Sequence, residues 1–60
     1  MNQKSVNQTI VTARKFLSSA NYFVSENNLE ESKKYLEAAL IACQVALTQV
    51  NRLENERVDA

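Results

Sequence analysis

Glu37-Ala-Ala-Leu-Ile-Ala-Cys-Gln-Val-Ala-Leu47 is the stretch on which the fold turns. It consists of strong helix formers with neither Gly nor Pro, and its apolar residues reach nearly every side of a helix. Extended to residues 29–53, it carries Leu29, Leu36, Cys43 and Val50 at seven-residue spacing, interleaved with Ser32, Ala39, Ala46 and Leu53. This 3-4 alternation is the spacing of a helix-packing seam. Leu40 and Leu47 widen the seam. Ala38, Ile41 and Val45 lie roughly opposite it, where a surface helix is normally polar. A helix of this kind calls for burial on more than one side.

The chain ahead of it reads as a first helix. Ser5-Val-Asn-Gln8 has the form of a capping box, with Ser at the N-cap and Gln three residues on. Val6, Ile10, Ala13, Leu17, Ala20 and Val24 follow at 4-3-4-3-4 spacing, flanked by Thr9, Phe16 and Phe23, which gives a broad apolar face. Between the two helices stands the one clear punctuation, Ser25-Glu-Asn-Asn28. Asn tolerates the left-handed conformation that ends a helix, and Asn28 can cap the next. Glu30 and Glu31 then sit on its positive first turn. The expectation is one domain over residues 1–60: a helix over 5–25, a turn over 26–28 and a helix over 29–56, with residues 1–4 and 58–60 fraying. So short a turn makes the two helices antiparallel. Glu30 with Lys34, and Lys33 with Glu37, are spaced as i,i+4 ion pairs.

The fold class is therefore all-α, an antiparallel two-helix hairpin. Ala13 and Ala20 on one helix match Ala39 and Ala46 on the other, and small residues there let the backbones approach closely, with Phe16, Phe23, Leu36, Leu40 and Leu47 filling the sides. Sixty residues are near the size at which a lone core is marginal. A hairpin would leave one apolar flank of each helix wet. A homodimer or higher oligomer, with two hairpins forming a four-helix bundle, answers both problems. The oligomer interface is assigned to Val6, Ile10, Ala13, Phe16, Leu17, Ala20, Phe23, Leu36, Ala39, Leu40, Cys43, Ala46, Leu47 and Val50. Ala38, Ile41 and Val45 are left as a surface for another protein.

Composition narrows the function classes. Seven bases balance seven acids, but residues 1–25 hold only Lys4, Arg14 and Lys15, while all the acids lie beyond them. Those three bases on the outer face of the first helix are the candidate contacts for RNA or DNA. Doubled in a dimer they still make a small patch, which a solvated helix face explains equally well. Binding to a membrane surface would recruit Phe16 and Phe23, which the hairpin core needs, and no apolar run reaches the roughly 20 residues of a membrane span. The single cysteine excludes an internal disulfide framework, and Cys43 on the seam reads as a small hydrophobe. There is no His, no Gly-rich phosphate loop, and no Ser or Cys with a base beside it, so neither enzyme, cofactor nor metal site is expected. The N-terminus has no signal-peptide pattern, and a cytoplasmic protein is expected. The favoured function is a non-enzymatic helical interaction module or protein-binding regulator acting as a homo-oligomer. The alternatives are a purely structural bundle and a nucleic-acid-binding hairpin dimer.

Two resemblances accompany these readings. Asn27-Asn-Leu-Glu-Glu-Ser-Lys-Lys-Tyr-Leu-Glu-Ala-Ala-Leu40 resembles the turn and second helix of a tetratricopeptide repeat. Ala20 and Phe23 fall at that repeat's small and aromatic positions, and Ser32, Leu36 and Ala39 at its small, large and small packing positions. The chain has one such unit, no closing Pro, and helices longer than the repeat's, so the likeness implies hairpin packing rather than a repeat array. Across most of the chain, Val6-Asn-Gln-Thr-Ile10, Phe23, Glu31-Ser-Lys-Lys34, Ala38, Ala39 and Gln44 resemble a family of short uncharacterised helical proteins of spore-forming Gram-positive bacteria, often encoded beside spore-membrane channel genes. In place of that family's acidic, Pro-containing tail stands Asn51-Arg-Leu-Glu-Asn-Glu-Arg57. The resemblance implies a helical fold and no particular chemistry.

Overall fold

A computed structural model describes residues 2–59, with the side chains of 58 and 59 excepted. Two helices, α1 (Gln3–Ser25) and α2 (Leu29–Asp59), pack against each other as a hairpin. The molecule is 50 Å long, which is close to the length of α2 at about 1.5 Å per residue.

Helix α1 begins ahead of the capping box read at Ser5. Asn2 is the N-cap, and its Oδ1 accepts the Ser5 N–H at 3.0 Å. Ser5 is already helical, and its carbonyl accepts the Thr9 hydroxyl at 3.1 Å. Asn caps a helix as well as Ser does, and nothing between the two positions resists helix, so the earlier cap adds most of a turn. At the other end α2 runs on to Asp59, because no Gly or Pro follows residue 56 to stop it. Gln3 and Lys4 are helical, while Met1 and Ala60 lie outside the described residues.

The turn is made by its asparagines. Asn27 takes the left-handed conformation at φ 59°. The Asn27 N–H donates to the Val24 carbonyl at 3.0 Å, and the Asn28 N–H to the Phe23 carbonyl at 2.8 Å, the paired bonds of a Schellman ending. Asn28 then caps α2, its Oδ1 accepting the Glu31 N–H at 3.2 Å. Lys34 Nζ meets Glu31 Oε1 at 3.2 Å, one turn away, rather than the Glu30 that i,i+4 spacing suggests. Both side chains are solvated, so the pair adds only about 0.2–0.5 kcal/mol.

Small residues hold the helices together. Ser32 is 2% exposed and donates its hydroxyl to the Ala20 carbonyl at 3.0 Å. A side chain this short reaches a main-chain carbonyl on another helix only when the backbones are close. Seven residues back along α1 and forward along α2 come Ala13 and Ala39, then Val6 and Ala46, and all four are buried. Ala42 is buried beside them. The larger seam residues gather near the turn, where the Tyr35 ring lies 5.5 Å from Phe23, nearly parallel to it, and 6.3 Å from Phe16. Phe23 also meets Tyr22 edge-on at 5.2 Å. Offset and tilted pairs of this kind add about 0.5–1.5 kcal/mol each beyond burial. No large side chain is fully buried among the described residues.

This seam corrects the stripe read from the sequence. Ser32, Ala39, Ala46 and Leu53 do face α1, but their partners in the 3-4 alternation are Tyr35, Ala42 and Gln49. Leu29, Leu36, Cys43 and Val50 are exposed. Likewise Val6, Ala13 and Ala20 face α2 with Thr9, Phe16 and Phe23, whereas Ile10, Leu17 and Val24 are exposed. This rotation brings Ala42 into line with Ala13, Ala20, Ser32, Ala39 and Ala46 where the backbones approach, while the bulky members of the seam, Phe16, Phe23 and Tyr35, are half-buried with their rings against one another.

Replacing Ala39 by Leu is expected to destabilise the hairpin by about 1–3 kcal/mol, since a filled seam has no room for added methylenes. Ser32→Ala, which removes one buried hydrogen bond, is expected to cost about 0.5–1.5 kcal/mol. Thermal unfolding followed by circular dichroism reads both, and an unchanged midpoint for Ala39→Leu would place Ala39 outside the seam.

Candidate functional site

Successive residues of a helix turn by about 100°. With the seam at heptad positions a and d, the residues just past it fall at e and then b. On α1 the e positions are Gln3, Ile10, Leu17 and Val24, and the b positions are Asn7, Arg14 and Asn21. On α2 the e positions are Leu29, Leu36, Cys43, Val50 and Arg57, and the b positions are Lys33, Leu40, Leu47 and Glu54. In an antiparallel pair the same rotation away from the seam carries both helices to the same side. Ile10, Leu17 and Val24 therefore share one side of the hairpin with Leu29, Leu36, Leu40, Cys43, Leu47 and Val50.

That side is open to water. Leu40 is 60% exposed and Leu47 62%, and the others named are exposed as well. An apolar surface that spans two helices exceeds the scattered exposed aliphatics of an ordinary monomer. It is bordered on α1 by Asn7, Arg14 and Asn21, and at the ends of α2 by Lys33, Glu54 and Arg57.

The residues assigned to an oligomer interface thus divide into two groups. Val6, Ala13, Ala20, Ala39 and Ala46 are used inside the hairpin, and Phe16 and Phe23 are half-buried at its seam. Ile10, Leu17, Leu36, Leu40, Cys43, Leu47 and Val50 lie together on the open side. Cys43 belongs with them and not in the hairpin core. Leu29 and Val24 complete the surface; their seven-residue spacing from Leu36 and Leu17 was the signal that marks them.

The opposite side of α2 carries a shallow open hollow lined by Ile41, Gln44, Val45, Thr48, Gln49 and Arg52. Ile41 and Val45 are exposed there, and Ala38 is half-buried. Gln49 Oε1 is buried without a hydrogen-bond partner. On the outer face of α1, Arg14 and Lys15 flank a second shallow hollow with Val11, Ser18 and Ser19, and Lys4 lies nearer the N-terminus on the same helix. No group of three or more His, Cys, Asp or Glu side chains converges among the described residues. No helix among them is long and apolar enough to cross a membrane. Compared with known proteins, the chain matches no family model, no curated protein and no solved structure.

Proposed function

We propose that this chain is a non-enzymatic interaction module that acts as a homodimer, two hairpins closing into a four-helix bundle. The observation that carries the reading is the apolar side shared by Ile10, Leu17, Leu36, Leu40, Leu47 and Val50, all exposed in the single hairpin. Ordering a chain costs about 1.5 kcal/mol per residue, against roughly 25 cal/mol for each Å² of apolar surface buried. A seam of alanines buries little surface per residue, and the leucines on the open side are where the remainder can be gained. Covering that side with a second copy places Cys43 and the leucines in a shared core. Each hairpin is then one half of a larger bundle and depends on the other half for its stability.

The hollow at Ile41 and Val45 supports a second reading beside the first. It lies on the other flank of α2, so a dimer built through Leu40 and Leu47 leaves it free for another protein. An apolar strip rimmed by Gln44, Thr48 and Arg52 suits a helix laid along it.

A homodimeric mass in sedimentation equilibrium, with a thermal midpoint that rises with protein concentration, is the expected behaviour. A monomeric mass at micromolar concentration with full helicity would sink the proposal. Leu40→Asp is expected to abolish the dimer and unfold the chain together, because it sets an unpaired charge in the shared core.

The two flanks are distinguished by Ile41→Lys combined with Val45→Glu. This double variant is expected to keep the parent's mass and thermal midpoint, since both residues face away from the proposed interface. If the dimer dissociates instead, self-association uses the Ile41 flank and the hollow is not a partner surface.

A further inference from the structure

The open side of α2 is a second stripe running the whole length of the helix: Leu29, Lys33, Leu36, Leu40, Cys43, Leu47, Val50, Glu54 and Arg57. Counted outward from Cys43, this stripe complements its own reverse from Lys33 to Glu54, and only its last positions, Leu29 and Arg57, do not match. Leu36 and Val50 stand equally far from Cys43 on either side, Leu40 and Leu47 flank it, and beyond them Lys33 balances Glu54 with opposite charge. We propose, resting on the homodimer reading above, that the second copy docks with its α2 antiparallel to α2 and crossing it at Cys43. The two turns then lie at opposite ends of the bundle. In this register Leu40 lies against the partner's Leu47, Leu36 against the partner's Val50, and Lys33 against the partner's Glu54, with each pair occurring twice by symmetry.

The register is singled out by charge. Sliding α2 by one heptad in one direction sets Lys33 against the partner's Leu47, and sliding it in the other sets Leu40 against the partner's Glu54. Either shift lays a charged group on a central leucine and loses both ion pairs, whereas the register proposed sets only the terminal Leu29 against the partner's Arg57, at the ends of the stripe. Other orientations fare no better. Placing α2 on the partner's α1 would set Leu40 and Leu47 over the b positions of that helix, which are Asn7, Arg14 and Asn21. Pairing α2 with α2 keeps leucine on leucine. It also keeps like charges apart: the Ser32–Ala20 bond sets the level of α1 on α2, and from that level the two copies of Arg14 stand on the order of 15 Å apart along the bundle, at about 1.5 Å per residue.

The test is a charge-exchange cycle on the full chain, with dimer dissociation constants measured by sedimentation. Lys33 and Glu54 are both exposed in the hairpin, so neither exchange disturbs its seam, and helicity at high protein concentration verifies this. Lys33→Glu and Glu54→Lys are each expected to weaken the dimer roughly tenfold, because each turns two symmetry-related attractions into repulsions. The double variant Lys33→Glu with Glu54→Lys is expected to restore the parent affinity. As an independent reading in a Cys43→Ala background, a short bis-maleimide is expected to join the Lys33→Cys thiol of one copy to the Glu54→Cys thiol of the other, at the rim of the interface, and not the thiols of a Glu30→Cys variant. A dimer whose charge-exchanged double variant is no tighter than the singles, or in which thiols at 33 and 54 cannot be joined, overturns the antiparallel docking and leaves the homodimer standing. A parent chain that stays monomeric overturns both.

Discussion

Close approach of two helical backbones is the constraint on which this structure depends. It is met by placing Ala or Ser where the helices touch: Ala13 and Ala20 on α1, and Ser32, Ala39, Ala42 and Ala46 on α2. The Ser32 hydroxyl on the Ala20 carbonyl is its clearest sign. This bond satisfies a buried hydroxyl and fixes one level of α2 against α1. From that level the heptad repeats carry the pairing down both helices, until α2 outruns the N-terminus of α1. The Schellman turn at Asn27 and Asn28 delivers the chain into α2 at the same end. Turn and seam therefore specify the same register, the agreement between local and tertiary preference that favours a single fold.

A seam of small residues has a cost, because little apolar surface leaves water there. The aromatic group of Phe16, Phe23 and Tyr35 offsets part of it near the turn. Toward the open end the seam carries Thr9 and Gln49, and Gln49 Oε1 is buried without a partner. Val6 and Ala46 are buried there, with Leu53 half-buried beyond them.

The same division sends the larger aliphatic residues outward. With the alanines turned inward, Leu36, Leu40, Leu47 and Val50 are carried to one side, where they collect with Ile10 and Leu17. Small residues organise the hairpin, and large ones are left for whatever the hairpin meets. Solubility as a lone hairpin and specificity for a partner pull in opposite directions on such a surface. On α2 the charges of this surface stand toward its ends, at Lys33, Glu54 and Arg57, and leave the centre apolar. On the far flank, Ile41 and Val45 are separated from this surface by the rotation of the helix, so the two apolar regions can act independently.

By itself the sequence determined the two helices, the turn between them and the small residues of the seam. Helix formers without Gly or Pro leave few options, and the asparagines at 27 and 28 are strong enough to end one helix and start another. It also determined that α2 has more apolar surface than one partner helix can cover. It left open which half of each stripe faces inward. A 3-4 alternation beginning at Ser32 pairs with either Leu36 or Tyr35, since both stand within half a turn of the same line. Hydrophobicity favours Leu36, Cys43 and Val50, and packing chose Tyr35, Ala42 and Gln49. The reason is packing of both helices at once: the observed rotation lines up Ala42 with the other small residues at the closest approach and lets the half-buried rings of Phe16, Phe23 and Tyr35 pack on one another. That rotation, a property of both helices together and of neither alone, was decided in the tertiary structure.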